Sequence, residues 1–169
     1  MKQVAELLNE MLRARVIQDY AVFGAVAQMR YTEAVATLDA DILVSVPEPE
    51  ALDVLAPLYD FCRQRGYHPE GEAIRVGDWP VQLIPAFSPL TEAALPDPEN
   101  AEFEVSHLRV EPAHYLPCNS LSVGSAKDFE RVLAVRESGA VSDDEISELA
   151  DQQGLAEAWQ SFRKRFDEA

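Results

Sequence analysis

The stretch Phe23-Gly24-Ala25-Val26-Ala27, followed a little later by Thr37-Leu38-Asp39-Ala40-Asp41-Ile42-Leu43-Val44, decides how this chain is read. Residues 20–24 form a short apolar run closed by glycine, the pattern of a buried strand, and residues 25–31 turn helical. Residues 41–46 are a second β-rich run, stopped by Pro47 and Pro49. Asp39 and Asp41 stand two apart at its head, so strand alternation points both side chains to one side. Two like charges entering an apolar strand are costly unless a cation or a catalytic role offsets their repulsion. Hard carboxylate oxygens on a rigid backbone suit Mg²⁺, which takes one or two carboxylates plus substrate phosphates. At Gly24 the backbone amides of a strand-to-helix turn can approach an anion closely. A phosphate-friendly turn beside two carboxylates is a ground plan for phosphoryl or nucleotidyl transfer. The plainer reading of the pair alone is a solvated strand cap.

Working outward, Val4, Leu7, Leu8, Met11 and Leu12 recur at helical spacing and predict an amphipathic first helix over residues 2–15. Residues 50–65 repeat the pattern with Leu52, Leu55, Leu58, Tyr59, Phe61 and Cys62, and Gly66 is placed to end that helix. Residues 73–76 and 81–84 read as a hairpin around Gly77-Asp78-Trp79-Pro80. A short helix over 88–95, a loop at Pro96-Asp97-Pro98, a strand over 103–110 and a helical turn at 112–116 follow. Ser125 caps a helix of about 126–137 by accepting from the free amides of its first turn. Ser142-Asp143-Asp144-Glu145 has capping-box spacing, and a last helix over 155–166 carries Trp159, Phe162 and Phe166 on one face. The order predicts an α/β (α+β) plan, a small mixed sheet flanked by helices with a helical C-terminal part. Residues 1–169 are expected to form one domain, with the helices of about 125–166 packed on it.

Composition limits the function classes. The 169 residues carry 30 Asp+Glu against 14 Lys+Arg, a net charge of −16. Residues 1–84 hold 7 bases and 13 acids, and residues 85–169 hold 7 and 17, so neither half is a basic arm. Such a surface repels phosphate backbones and anionic membranes, although a local pocket can still hold an anion. Two cysteines, Cys62 and Cys118, lack disulfide-framework or metal spacing and fit buried thiols in a reducing cytoplasm. The N-terminus meets Glu6 and Glu10 before any signal-peptide core. No run approaches the ~18 apolar residues of a membrane span. A soluble cytoplasmic protein is expected.

In order along residues 18–136, the chain resembles the nucleotidyltransferase superfamily of DNA polymerase beta type, in particular its small bacterial members near the abortive-infection toxin branch. The resemblance rests on Gly24, Ala27, Tyr31, Thr37, Asp39 and Asp41, then on Pro80-Val81-Gln82-Leu83-Ile84-Pro85 and on Leu108-Arg109-Val110-Glu111-Pro112-Ala113-His114-Tyr115-Leu116. Gly124-Ser125-Ala126-Lys127-Asp128 with Arg131 completes it. It implies transfer of a nucleotidyl group from a magnesium-bound nucleoside triphosphate, such as ATP, to a small-molecule or protein acceptor. Asp39 and Asp41 would hold Mg²⁺, and Gly24 and Ala25 would bring backbone amides to the phosphates. Lys127 would neutralise a phosphate, and Asp128 would orient that lysine or cap its helix.

Two positions depart from the family pattern. Ala25 stands where Gly or Ser is usual, which keeps the amide and loses a hydroxyl contact. Gln82 stands at the position of a third carboxylate and is neutral, so the acceptor lacks an obvious base. Asp78 lies near in the hairpin turn, with a register that looks wrong for the task. An alternative to the enzyme is therefore an inactive member serving as a nucleotide-binding or protein-interaction module, as in a toxin–antitoxin-like pair; the acidity suits a basic protein partner.

The remaining candidates read more plainly. His68, His107 and His114 have no metal spacing, with His114 the nearest to a pocket in the family plan. The only basic triplet, Arg163-Lys164-Arg165, reads as a solvated helix face, and the aromatic stripe beside it as core that could also join a homodimer. No Walker, Rossmann or Gly-x-Ser-x-Gly pattern occurs.

Overall fold

A computed structural model describes residues 1–49, 52–96, 98–103 and 106–167. The sheet is built on two strands, β1 (Asp19–Phe23) and β2 (Ala40–Ser45), which pair antiparallel with Phe23 opposite Asp41. Between them lies α2 (Gly24–Gln28), and α1 (Lys2–Arg13) precedes both. After α3 (Ala56–Gln64) come β3 (Pro69–Glu70), β4 (Ala73–Val76) and β5 (Trp79–Pro85), then α4 (Pro89–Ala93), β6 (Glu99–Phe103) and β7 (Ser106–Val110). The seven strands form one mixed sheet in the order β3-β4-β5-β2-β1-β7-β6. β5 runs parallel to β2 and β7 parallel to β1, while β3–β4, β4–β5 and β6–β7 are antiparallel. Four helices close the chain: α5 (Tyr115–Val123), α6 (Ala126–Ser138), α7 (Asp143–Gln152) and α8 (Ala156–Phe166). The expected mixed sheet with a helical C-terminal part is present.

The period-2 rule separates two unequal cores. Tyr20 and Val22 of β1 and Ile42 and Val44 of β2 enter the large one, with Val4, Leu7, Leu8 and Met11 of α1 and much of the helical part. Ala21 and Leu43 face the other way, into a small cluster with Ala86, Ala94 and Leu95. Asp41, Phe23, Gln82 and Ile84 share the parity and register of that second face, which places the polar residues over the smaller cluster.

Several elements differ from the sequence reading. The third helix starts at Ala56, with Pro57 in its first turn, rather than at residue 50; Leu52 is fully exposed, and Glu50 and Ala51 lie outside the described residues. Proline suits a helix's first turn, where its missing N–H has no partner to lose. The strand expected over 103–110 is the second half of a hairpin, β6–β7, of which residues 104 and 105 are not described. Asp97, in the predicted proline loop, is likewise not described. The helical turn expected at 112–116 is instead the approach to α5, which runs on through Pro117 to Val123 and ends on Gly124 at φ 73°. The caps at Ser125 and Ser142 are both reciprocal capping boxes, closed by Asp128 and Glu145.

The C-terminal helices are tied by packing and charge. Val132, Val135, Ile146, Leu149, Trp159 and Phe162 are buried together. Arg136 donates to Asp143 at 2.7 Å and to Asp167 at 2.9 Å while lying over the Trp159 ring, joining α6 to the start of α7 and the end of α8. No helix among the described residues is long and apolar enough to cross a membrane.

Candidate functional site

A cavity of about 270 Å³ opens where β1 and β7 leave the sheet and β2 and β5 enter it, roofed by α5 and α6. Gly24, Asp41, Gln82, Glu111, Asn119 and Arg131 are among its lining residues, as is Asp128. The sequence therefore brought Gly24, Asp41 and Asp128 to one place. Asp39 precedes β2 in a bend and is exposed, and its charge reaches Asp41. Ala25 is half-buried in α2 and Lys127 is exposed on the first turn of α6; neither lines the cavity.

Gly24 is the tightest of these positions. Its φ is +67°, and a Cβ there would stand 3.0 Å from Asp41 Oδ2. Both facts favour glycine: the left-handed backbone disfavours any Cβ, and the Asp41 carboxylate would have to give by a few tenths of an ångström to admit one. Asp41 is half-buried. Burial, then the charge of Asp39, pushes its carboxyl above the usual range, while Arg131 pulls it back. The strand itself begins at Ala40, so alternation orients Asp41 and not Asp39. Thr37 Oγ1 lies 3.2 Å from Asp39 Oδ1, steadying that carboxylate.

Gln82 pairs in register with Asp41 across the parallel β2–β5 ladder, so it stands at the next position on the same face. Its carboxamide can offer an oxygen to a cation but cannot take a proton. Asp78 lies in the turn before β5, exposed and outside the cavity lining, with its carbonyl accepting from Arg75. Among the described residues no three of His, Cys, Asp and Glu gather to hold a metal by themselves. Asp41 and Gln82 are the oxygen-bearing side chains that β2 and β5 bring to this wall, with Asp39 exposed outside the lining; a cation held there would need further oxygen ligands, such as phosphates, from its substrate.

Asp128 accepts from the Ser125 backbone N–H at 3.1 Å and hydroxyl at 2.5 Å, capping α6, and its other oxygen takes Arg131 Nη1 at 3.1 Å. Its cationic partner is thus Arg131, one turn on, rather than Lys127. Arg131 also donates to Gln28 Oε1 and Ser120 Oγ, each at 3.3 Å, so the guanidinium is fixed against α2 and α5 in the cavity lining.

Glu111 is the residue that reading the sequence for chemistry missed. It follows β7, its N–H donates to Val22 O at 3.0 Å, and it is fully buried. Asn119 Nδ2 donates to its Oε2 at 2.7 Å, while Oε1 has no hydrogen-bond partner. Burial drives the carboxyl up to about 8, against Asn119, the Gly24 amide and the Arg131 charge, which all favour ionisation. The available signal was an acid directly after an apolar strand and before Pro112, at the sheet end shared with Gly24.

No family model matches the chain, and no curated protein matches it. Solved structures do. The solution structure of the antibiotic-resistance factor ANT(2'')-Ia aligns over 99% of this chain and 96% of its own, at 12% identity and a TM-score of 0.55. The crystal structure of ANT(2'')-Ia in complex with adenylyl-2''-tobramycin aligns over 96% of each chain, at 12% identity and a TM-score of 0.53. From its sheet to its last helix, the chain shares the fold of ANT(2'')-Ia.

Proposed function

We propose that the protein transfers a nucleotidyl group from a magnesium-complexed nucleoside triphosphate to a hydroxyl-bearing small molecule. The observation that carries this reading is Asp41 packed against the Gly24 turn, across one cavity from Arg131, in a nucleotidyltransferase fold. Asp39 and Asp41 would hold the cation, which when bound offsets phosphate charge and polarises the α-phosphoryl group. Gly24 and Ala25 would present backbone to the phosphates, with Arg131 as the charge at the cavity; Lys127, outside the lining, would meet phosphate only beyond it. In the transfer the acceptor oxygen bonds to the α-phosphorus as the bond to the pyrophosphate oxygen breaks. Pyrophosphate leaves with its electron pair, and the acceptor proton passes to water or a carboxylate.

A free triphosphate would be repelled by a chain of charge −16, so the magnesium complex is the fitting substrate. The same charge speaks against a nucleic-acid acceptor, and with it against the polyanionic targets open to the toxin branch. Gln82 in register with Asp41 supports a second reading, a nucleotide-binding member that turns over slowly or not at all, serving as a protein-interaction module.

Calorimetric titration with each nucleoside triphosphate, with and without Mg²⁺, separates the readings. Magnesium-dependent binding that falls by roughly tenfold or more in Asp39→Asn and Asp41→Asn is expected. Binding indifferent to both substitutions would sink the metal site. Binding with no labelled product on any hydroxyl or aminoglycoside acceptor would favour the second reading.

A further inference from the structure

The acids that line the cavity are not equally free to hold a cation. Asp128 spends one oxygen on the Ser125 backbone N–H and hydroxyl and the other on Arg131 Nη1. Glu111 is fully buried, and Asn119 Nδ2 donates to its Oε2. Asp41 is half-buried beside the Gly24 turn, and its carboxylate takes no hydrogen bond or ion pair from the other described residues. Asp39 is exposed in the bend before β2, outside the lining, with Oδ1 against Thr37 Oγ1. One open carboxylate in the wall and one at its margin suit a single divalent cation. Such an ion takes one or two carboxylates and completes its shell with phosphate oxygens and water.

The next position on the wall decides whether a second cation can join the first. Gln82 pairs in register with Asp41, and both line the cavity from adjoining strands. Such strands run about 4.8 Å apart, close to the separation of about 4 Å between the ions of a two-metal site. Two divalent ions that near repel each other strongly, and carboxylates set around them are what offsets the repulsion. At Gln82 the chain sets a carboxamide instead, whose oxygen is a ligand without charge. Arg131 adds to the deficit. Its guanidinium is fixed in the same lining by Gln28, Ser120 and Asp128, and it meets a second cation with a charge of the same sign. We infer that Gln82 limits this site to one divalent cation, held jointly by Asp41, by Asp39 at the margin and by the bound triphosphate. The inference rests on the transfer reading above for its ligand, the magnesium nucleotide, and adds how many ions that ligand brings. Without nucleotide the chain then holds the cation weakly, because most of the ion's negative partners arrive with the phosphates.

Manganese in place of magnesium makes the ions countable, because free Mn²⁺ loses its sharp electron paramagnetic resonance spectrum on binding and two adjacent Mn²⁺ ions couple magnetically. Equimolar full chain and a non-hydrolysable nucleoside triphosphate are titrated with Mn²⁺. The native complex should take up one tightly held ion, and its signal should stay uncoupled however much Mn²⁺ is added. Gln82→Glu, the same in shape, should take up a second ion and show the coupled signal of a pair. Without nucleotide, that variant should bind Mn²⁺ roughly tenfold or more tightly than the native chain. A coupled pair on the native complex overturns the inference. So does a folded Gln82→Glu that stays at one ion, or one that binds free Mn²⁺ no better than the native chain. Should Gln82→Glu not fold, the native complex decides alone: a single uncoupled ion upholds the inference and a coupled pair removes it. A native pair leaves the transfer reading standing, whereas a native chain that binds no nucleotide in the presence of Mn²⁺ removes both.

Discussion

Glycine at position 24 is the clearest case of a residue dictated by its neighbours. Its positive φ and the 3.0 Å separation of a would-be Cβ from Asp41 Oδ2 act together. Gly24→Ala is expected to destabilise the fold by about 1–2 kcal/mol through backbone strain, read by urea denaturation. It should also displace the Asp41 carboxylate, so magnesium-dependent nucleotide binding weakens more than stability alone requires. Glu111 gives a second prediction, in pH. Its folded value of about 8 stands above the ordinary 4.5, so the folded state holds a proton that the unfolded state releases. Its contribution is therefore fully present below pH 4.5 and is lost as pH rises through about 8. The loss is bounded at about 5 kcal/mol. Denaturation midpoints of the native chain should fall across that window relative to Glu111→Gln, and parallel curves for the two would show that the acid is ionised in the fold.

At the scale of elements, α6 joins stability to the site through its cap. Ser125 and Asp128 satisfy each other's amides, and the same Asp128 holds Arg131. Ser125→Ala should cost about 1 kcal/mol in denaturation and also loosen Arg131, seen as weaker triphosphate binding with little change in nucleoside binding. This cap was legible in the sequence because a serine followed three residues later by an acid is a local signal. So was the approach of Asp41 to the Gly24 turn, which follows from strand period; Asp39 stands in a bend before β2, where that period does not reach. α5 was not legible beyond its first residues. Pro117, Asn119, Ser120 and Ser122 carry no helical signal, and a helix buried on several sides shows no amphipathic stripe. β6 was missed because Glu99-Asn100-Ala101-Glu102 carries no β-branched or aromatic pattern and gains its place from pairing with β7. Glu111 and Asn119 were invisible for the same reason, since burial of an acid is decided by elements distant in sequence. Lys127, adjacent to Asp128 in the chain, points to a different environment because successive helical residues diverge by about 100°.

For the molecule as a whole, charge sets the terms on which ligands arrive. With a net charge of −16, the approach of a triphosphate is opposed over distances of about the Debye length, near 10 Å at 0.1 M salt. Raising ionic strength from about 0.02 M to about 0.3 M should therefore speed association of the magnesium nucleotide in stopped-flow measurement. A site fed by a basic surface would show the opposite slope. The sheet carries a consequence of another kind. Because β1 and β7 run out at the rim where β2 and β5 run in, chain segments of both directions meet there, and each leads into a connection rather than into the packed interior. Lengthening such a connection leaves strand register intact, so evolution can recast what the rim recognises while the interior is inherited unchanged.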